Sequence, residues 1–151
     1  MPRLLVVQHT PSPSLHRMLL DVQEGADADG LEDVEVVTAA ALSCTASDAL
    51  AADGYVLLTP ANLGTMAGAM KHFFDTIYYP CLEQTRGRPC GVGVHGNSDV
   101  DGALRDIGKI TTGLGWQQAT EHVKVIDTPD QAARDGCWNL GATVAATLLE
   151  G

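Results

Sequence analysis

Basic residues are scarce in this chain. Nine Lys and Arg stand against nineteen Asp and Glu, giving a formal net charge of -10. That balance opposes nucleic acid or an anionic membrane as partner, because both need a basic face. Long hydrophobic runs are missing too. The one early apolar run, Leu4 to Val7, is too short for the hydrophobic region of a signal peptide, and nothing approaches the length of a membrane span. A cytoplasmic protein without a membrane span is therefore expected. Cys44, Cys81, Cys90 and Cys137 show no Cys-x-x-Cys spacing, and a domain of this size does not need disulfide staples. They read as free thiols, Cys90 in a strand and Cys137 on the apolar face of a helix. His9, His16, His72, His95 and His122 lack metal-ligand spacing, and all but His95 read as surface or packing residues. Internal repeats and low-complexity linkers are absent.

What is present fits one domain spanning residues 1–151: the length suits a single unit, and 45% hydrophobic content suffices for a substantial core. Apolar runs alternate with helical stretches along the chain, the pattern of a doubly wound parallel sheet. Strands are expected at Arg3 to Gln8, Asp33 to Thr38, Tyr55 to Thr59, Arg88 to His95 and about His122 to Ile126. The first is apolar through its middle, as when helices cover both faces. Helices are expected from Ser14 (as cap) to about Glu24, at Ser47 to Ala52 and from near Thr65. The helix from near Thr65 carries a buried stripe of Met66, Met70, Phe73, Phe74 and Ile77. Leu104, Ile107, Ile110 and Leu114 mark a fourth helix closed by a left-handed Gly115. A last helix opens on Thr128 as cap, with Pro129 at its first position and Gln131 completing a capping box. Gly25 to Glu32 reads as a solvated loop. Right-handed crossovers then imply a three-layer, five-stranded α/β fold with strand order 2-1-3-4-5.

In such a sheet ligands bind outside the carboxyl ends of the strands, in the crevice between the first and third. Three loops meet there. The first, His9 to Leu15, sets the hydroxyls of Thr10, Ser12 and Ser14 just ahead of a helix N-terminus, where free N–H groups and the positive helix end attract a phosphate. The second runs through Pro60 and Gly64, between a buried strand and a helix, and leaves free backbone groups at the sheet edge. The third, His95 to Gly102, follows a strand whose Gly91 and Gly93 permit close approach of another backbone. Its Asn97 and Asp101 can pair with a heteroaromatic ring edge or a sugar hydroxyl, and Asp99 reads as a helix cap.

The segment Thr59-Pro60-Ala61-Asn62-Leu63-Gly64-Thr65-Met66, with Lys71 and Asp75 beyond it, resembles the Pro-x-x-x-Gly-x-Met turn of the flavodoxin-like NAD(P)H-dependent FMN reductase and quinone oxidoreductase family. The run Gly91 to Ser98, followed by Gly102-Ala103-Leu104, is similar to that family's Gly-rich loop. The resemblance implies FMN as cofactor, with Ser12, Ser14 and Leu15 at its phosphate. It further implies Pro60, Ala61, Asn62, Leu63, Gly64, Thr65 and Met66 at the isoalloxazine ring, and His95, Gly96, Asn97 and Asp101 at the pyrimidine or ribityl part. Two departures matter. Pro11 and Pro13 stand where the family carries Thr and Gly residues whose amides wrap the phosphate. Neither Pro60 to Gly64 nor His95 to Gly102 contains an aromatic, whereas electron-carrier flavodoxins sandwich their flavin between aromatic side chains.

An open flavin face suits hydride transfer through a bound substrate. The expected function is thus an FMN-dependent oxidoreductase passing electrons from NAD(P)H to a small quinone, azo, nitro or flavin acceptor, with no protein side chain as acid or base, because the cofactor carries the chemistry. The resemblance also implies a homodimer or homotetramer. The alternative is a flavodoxin-type electron carrier without a small-molecule substrate, its acidic surface docking a basic redox partner. A signalling receiver domain shares the strand order but needs clustered acids after the first strand and an Asp after the third; Gln8-His9 and Thr59-Pro60 occupy those places.

Overall fold

The computed structural model describes residues 1–150. Strand β1 is Arg3–Gln8, α1 Pro13–Ala26, β2 Glu35–Ala40, α2 Ala46–Ala51 and β3 Gly54–Asn62. A two-residue strand β4, Thr65–Met66, precedes α3 at Gly68–Cys81, β5 at Pro89–Gly96 and α4 at Asp101–Leu114. Short β6, Gln117–Gln118, then β7, Val123–Ile126, lead to α5 at Gln131–Glu150. The parallel sheet runs β2-β1-β3-β5, with β6 and β7 both pairing β5 on its outer side. They are one fifth strand in two pieces, so the expected 2-1-3-4-5 order holds. The remaining strand, β4, pairs antiparallel with the end of β3.

Alternation along the strands divides the core in two. Leu4, Val6, Val56 and Leu58 face α1 and α5, while Leu5, Val7, Tyr55, Leu57, Val92 and Val94 face α2, α3 and α4. Each strand residue is thus buried by a helical layer on one side or the other, which is why β1 reads as a continuous apolar run. The stripe from Met66 to Ile77 is buried as expected, and Gly115 closes α4 at φ 76°. Tyr55 and Trp116 stack 3.9 Å apart; the Tyr55 hydroxyl donates to the Ala49 carbonyl and the Trp116 indole to Thr85. Among the described residues no helix is long and apolar enough to cross a membrane.

Several boundaries differ from expectation, each through hydrogen bonding that composition alone does not reveal. Ser12, not Ser14, caps α1, accepting from the Leu15 amide. The helix expected near Thr65 begins at Gly68, because Ala61 and Asn62 pair with Met66 and Thr65 in a hairpin first. Asp130, not Thr128, accepts from the Ala133 amide at the start of α5, so Gln131 is the first helical residue and no capping box forms. Gly25 belongs to α1 and not to a solvated loop. It is buried where a Cβ would meet the Trp138 carbonyl, and Gly141 of α5 likewise abuts the Val22 carbonyl. The two helices approach this closely only because neither position carries a side chain.

Candidate functional site

The β3–β4 hairpin is built on a turn in which Leu63 and Gly64 both have positive φ, 51° and 82°. Two consecutive left-handed residues are the signature of a type I′ turn, whose twist matches the flanking strands. Gly64 adopts this freely; Leu63 does not, and its side chain is wholly exposed at 105%. The hairpin is anchored from beneath. The Thr65 hydroxyl donates to Asp106 on α4 at 2.6 Å, and that bond, with Arg105 and Lys109 nearby, holds the Asp106 carboxyl below its usual range. A Cβ at Gly102 would strike the Gly64 carbonyl, so the bare first turn of α4 lets the hairpin lie against it. Behind the turn, the buried Thr59 hydroxyl donates to the Pro60 carbonyl and accepts from the Ala67 amide.

The three carboxyl-edge loops converge on one open cleft of about 250 Å³. Pro11, Ser12 and Leu15 line it from the first loop, Pro60, Ala61 and Asn62 from the second, and His95, Gly96 and Asn97 from the third. The structure thus brings eight of the expected site residues together and adds Pro11, which its position before α1 could have suggested. Among the described residues no Phe, Tyr or Trp lines the cleft.

The other expected residues lie outside this lining. The Thr10 hydroxyl donates to the Gln8 side chain at 2.7 Å, and Ser14 sits in the first turn of α1. Leu63, Thr65 and Met66 line a second hollow of about 570 Å³ behind the hairpin, mostly apolar, together with Gly68, Lys71 and Ile110. Gly64 shapes the turn between the two spaces. The Asp101 carboxylate is not turned to the cleft: it pairs with Lys124 at 2.9 Å, which ties the start of α4 to β7. Asp99 accepts from the Asp101 amide. Lys71 and Asp75 form an exposed pair one turn apart on α3 at 2.6 Å.

His95 is held from outside the cleft. Its Nε2 lies 2.7 Å from the carbonyl oxygen of Asp127, whose own φ is 59°. A carbonyl only accepts, so this nitrogen carries the proton. No sequence signal marks Asp127 as a partner, since the contact uses its backbone. A further hollow of about 500 Å³ runs along β7 and α5, away from the carboxyl-edge loops. There the His122 Nδ1 is buried without a partner, and burial, then Lys124, pulls its pKa down. The smaller cleft is the better candidate site because it lies at the crevice where open α/β sheets bind ligands.

No family model and no curated protein matches the chain. Solved structures do match it. A flavodoxin, WrbA-like protein from Agrobacterium tumefaciens aligns over 99% of both chains at a TM-score of 0.80 and 18% identity. A flavodoxin from the domain Archaea aligns over 99% of both chains at 0.81 and 15% identity. An oxidoreductase from Corynebacterium diphtheriae covers 100% of this chain and 98% of its own at 0.75 and 19% identity. At such identities the likeness speaks for the backbone, and the chain has the flavodoxin-like fold.

Proposed function

We propose that this protein is an FMN-dependent oxidoreductase that passes electrons from NAD(P)H to a small quinone, azo, nitro or flavin acceptor. The observation that carries this reading is the cleft: three loops meet at the carboxyl edge of the sheet, between an α1 N-terminus and a backbone hairpin, with no Phe, Tyr or Trp among the described residues to cover a flat ligand. The donor set suits FMN. The Ser12 and Ser14 amides at the start of α1 are free for the phosphate end, and the exposed residues Asn62 to Gly64 and Asn97 offer backbone to the ring end. Ser12, Pro60, Ala61, Asn62 and Asn97 would hold the cofactor, and Thr65 with Gly102 would keep the hairpin in place. FMN, when bound, supplies the redox chemistry, and the protein orients it and presents N–H dipoles to its polar edge. None of the lining side chains is needed as acid or base.

The flavodoxins among the structural matches favour a second reading, an electron carrier with no small-molecule substrate. One experiment separates the two. Purified protein is mixed anaerobically with FMN and then NAD(P)H, and the flavin absorbance is followed. Bleaching within seconds, then reoxidation by added quinone, is the expected result. Bound FMN that stays oxidised would sink the reductase reading and leave the carrier. A chain that ignores FMN would remove both. The same proposal includes two or four subunits, which light scattering of the holoprotein measures.

A further inference from the structure

The phosphate end of the cleft is short of donors. Pro11 and Pro13 have no N–H, the Leu15 amide is taken by Ser12 Oγ, and the His16 amide by the Ser12 carbonyl. The Ser12 and Ser14 amides are what remains between Pro11 and His16. Among the described residues no Lys or Arg lines the cleft either, and His95 is the one titratable side chain that does. A phosphomonoester dianion placed there would meet helix-end dipoles but no fixed positive charge.

The placement of His95 on β5 supplies what is lacking. Gly91 and Gly93 face α1 and α5, where added Cβ atoms would meet Leu140, Val144 and Met18. Two residues further on, His95 falls on that same face, between Pro60 of β3 and Val125 of β7. This is the side on which α1 begins. Its Nε2–H is committed to the Asp127 carbonyl. The two nitrogens of an imidazole diverge, so Nδ1 is turned away from Asp127, and it has no partner among the described residues. In the neutral ring Nδ1 has a lone pair and repels an anion; in the cation it is a donor.

Resting on the FMN reading above, we infer that His95 is the phosphate-selecting residue of the cleft, gripping the phosphomonoester through Nδ1–H only when the imidazole is protonated. The charged or titratable groups toward the carboxyl-edge ends of the surrounding elements are His9 after β1, His16 and Arg17 on α1, Lys124 and Asp127 at β7, Asp130 before α5 and Asp99 in its own loop; the titratable side chain of β3, Tyr55, is buried on the opposite face at the strand's other end. Lys124 is paired with Asp101, Arg17 with Asp21, and Asp99 and Asp130 cap backbone amides. His9 and His16 do not line the cleft, so among the described residues His95 is the titratable side chain that borders the ligand. The grip belongs to the cationic ring and is absent from the neutral one, so acid conditions favour it and alkaline conditions remove it.

The test measures dissociation constants of FMN and riboflavin at about pH 5.5 and about pH 8, the range in which imidazoles change charge, for the wild-type chain, His95→Gln and His95→Lys. The phosphate itself titrates near pH 6, but identically for all three proteins. At the lower pH the wild type should prefer FMN over riboflavin about tenfold more strongly than His95→Gln does, and at the higher pH the two should converge. His95→Lys, charged at both, should lack the wild type's loss of preference as pH rises. Equal pH dependence of the FMN-to-riboflavin ratio in wild type and His95→Gln overturns the inference while FMN binding itself still stands. Loss of both ligands alike at both pH values also overturns it, as it makes His95 a structural post. Wild-type protein that binds neither flavin ends this inference together with the function it rests on.

Discussion

Leu63 breaks two local rules at once, and it does so beside the cleft. A residue with a Cβ held at φ 51° costs about 1 kcal/mol relative to glycine or asparagine, and its apolar chain gains nothing from burial because it is fully exposed. Leu63→Asn is therefore expected to raise the stability of the apoprotein by about 1 kcal/mol, seen as a later denaturant midpoint at unchanged slope. It should also weaken FMN, since it removes an apolar side chain from the tip of the hairpin. An unmoved midpoint would mean that the turn is relaxed. This residue was legible in the sequence only by position: the Pro-x-x-x-Gly-x-Met spacing puts Leu63 in the turn, but a leucine does not announce a left-handed conformation. His95 was legible in the same partial way. Its place in the third loop followed from the pattern, whereas its side of the sheet needed the strand register, and its partner is a backbone carbonyl that no residue type encodes.

At the scale of elements, apolar periodicity carried most of the information. The first strand, the buried stripe of α3 and the glycine stop of α4 stand where the pattern put them, because each depends on burial of residues close in sequence. What periodicity missed were choices among equivalent local partners: Ser12 over Ser14, Asp130 over Thr128, a hairpin before α3. It also missed the α1–α5 contact, in which Gly25 and Gly141 each sit against a carbonyl of the other helix. That contact joins residues over a hundred positions apart and shows in sequence only as two glycines inside helices. Asp21 of α1, buried at 4%, bridges the same pair through Arg134 of α5 at 3.2 Å and is also held by Arg17 of its own helix at 3.0 Å. Gly141→Ala should force the helices apart and cost about 2 kcal/mol or more, within the usual range for overpacking. Gly68→Ala, at an exposed helix position with open space around it, should be neutral or mildly stabilising. Thermal melts of the two variants make the comparison; equal melting temperatures would show that α1 and α5 can separate without penalty.

For the molecule as a whole, fold class and strand order were the most legible features, since alternating strands and helices with right-handed crossovers leave few topologies. The division of the fifth strand into β6 and β7 was not, because Ala119 to His122 interrupts it without a proline or glycine to mark the break. All four cysteines are buried and free. Burial pushes the Cys44 and Cys90 thiols up to about 11 and Cys137 to about 12, and raises Cys81 as well. At neutral pH these sulfurs are thus protonated and shielded, and the thiolate is the form that reacts. Native protein treated with iodoacetamide at pH 7.5 should keep its unmodified mass, and protein unfolded in guanidinium should gain four adducts; rapid native labelling would show that a thiol is open. Quinones are themselves electrophiles that add to thiolates, so an enzyme that turns them over is exposed to arylation by its own acceptor at every encounter. If a quinone is the acceptor, as proposed above, a chain whose four thiols are all buried would be spared that arylation for as long as its core stays folded.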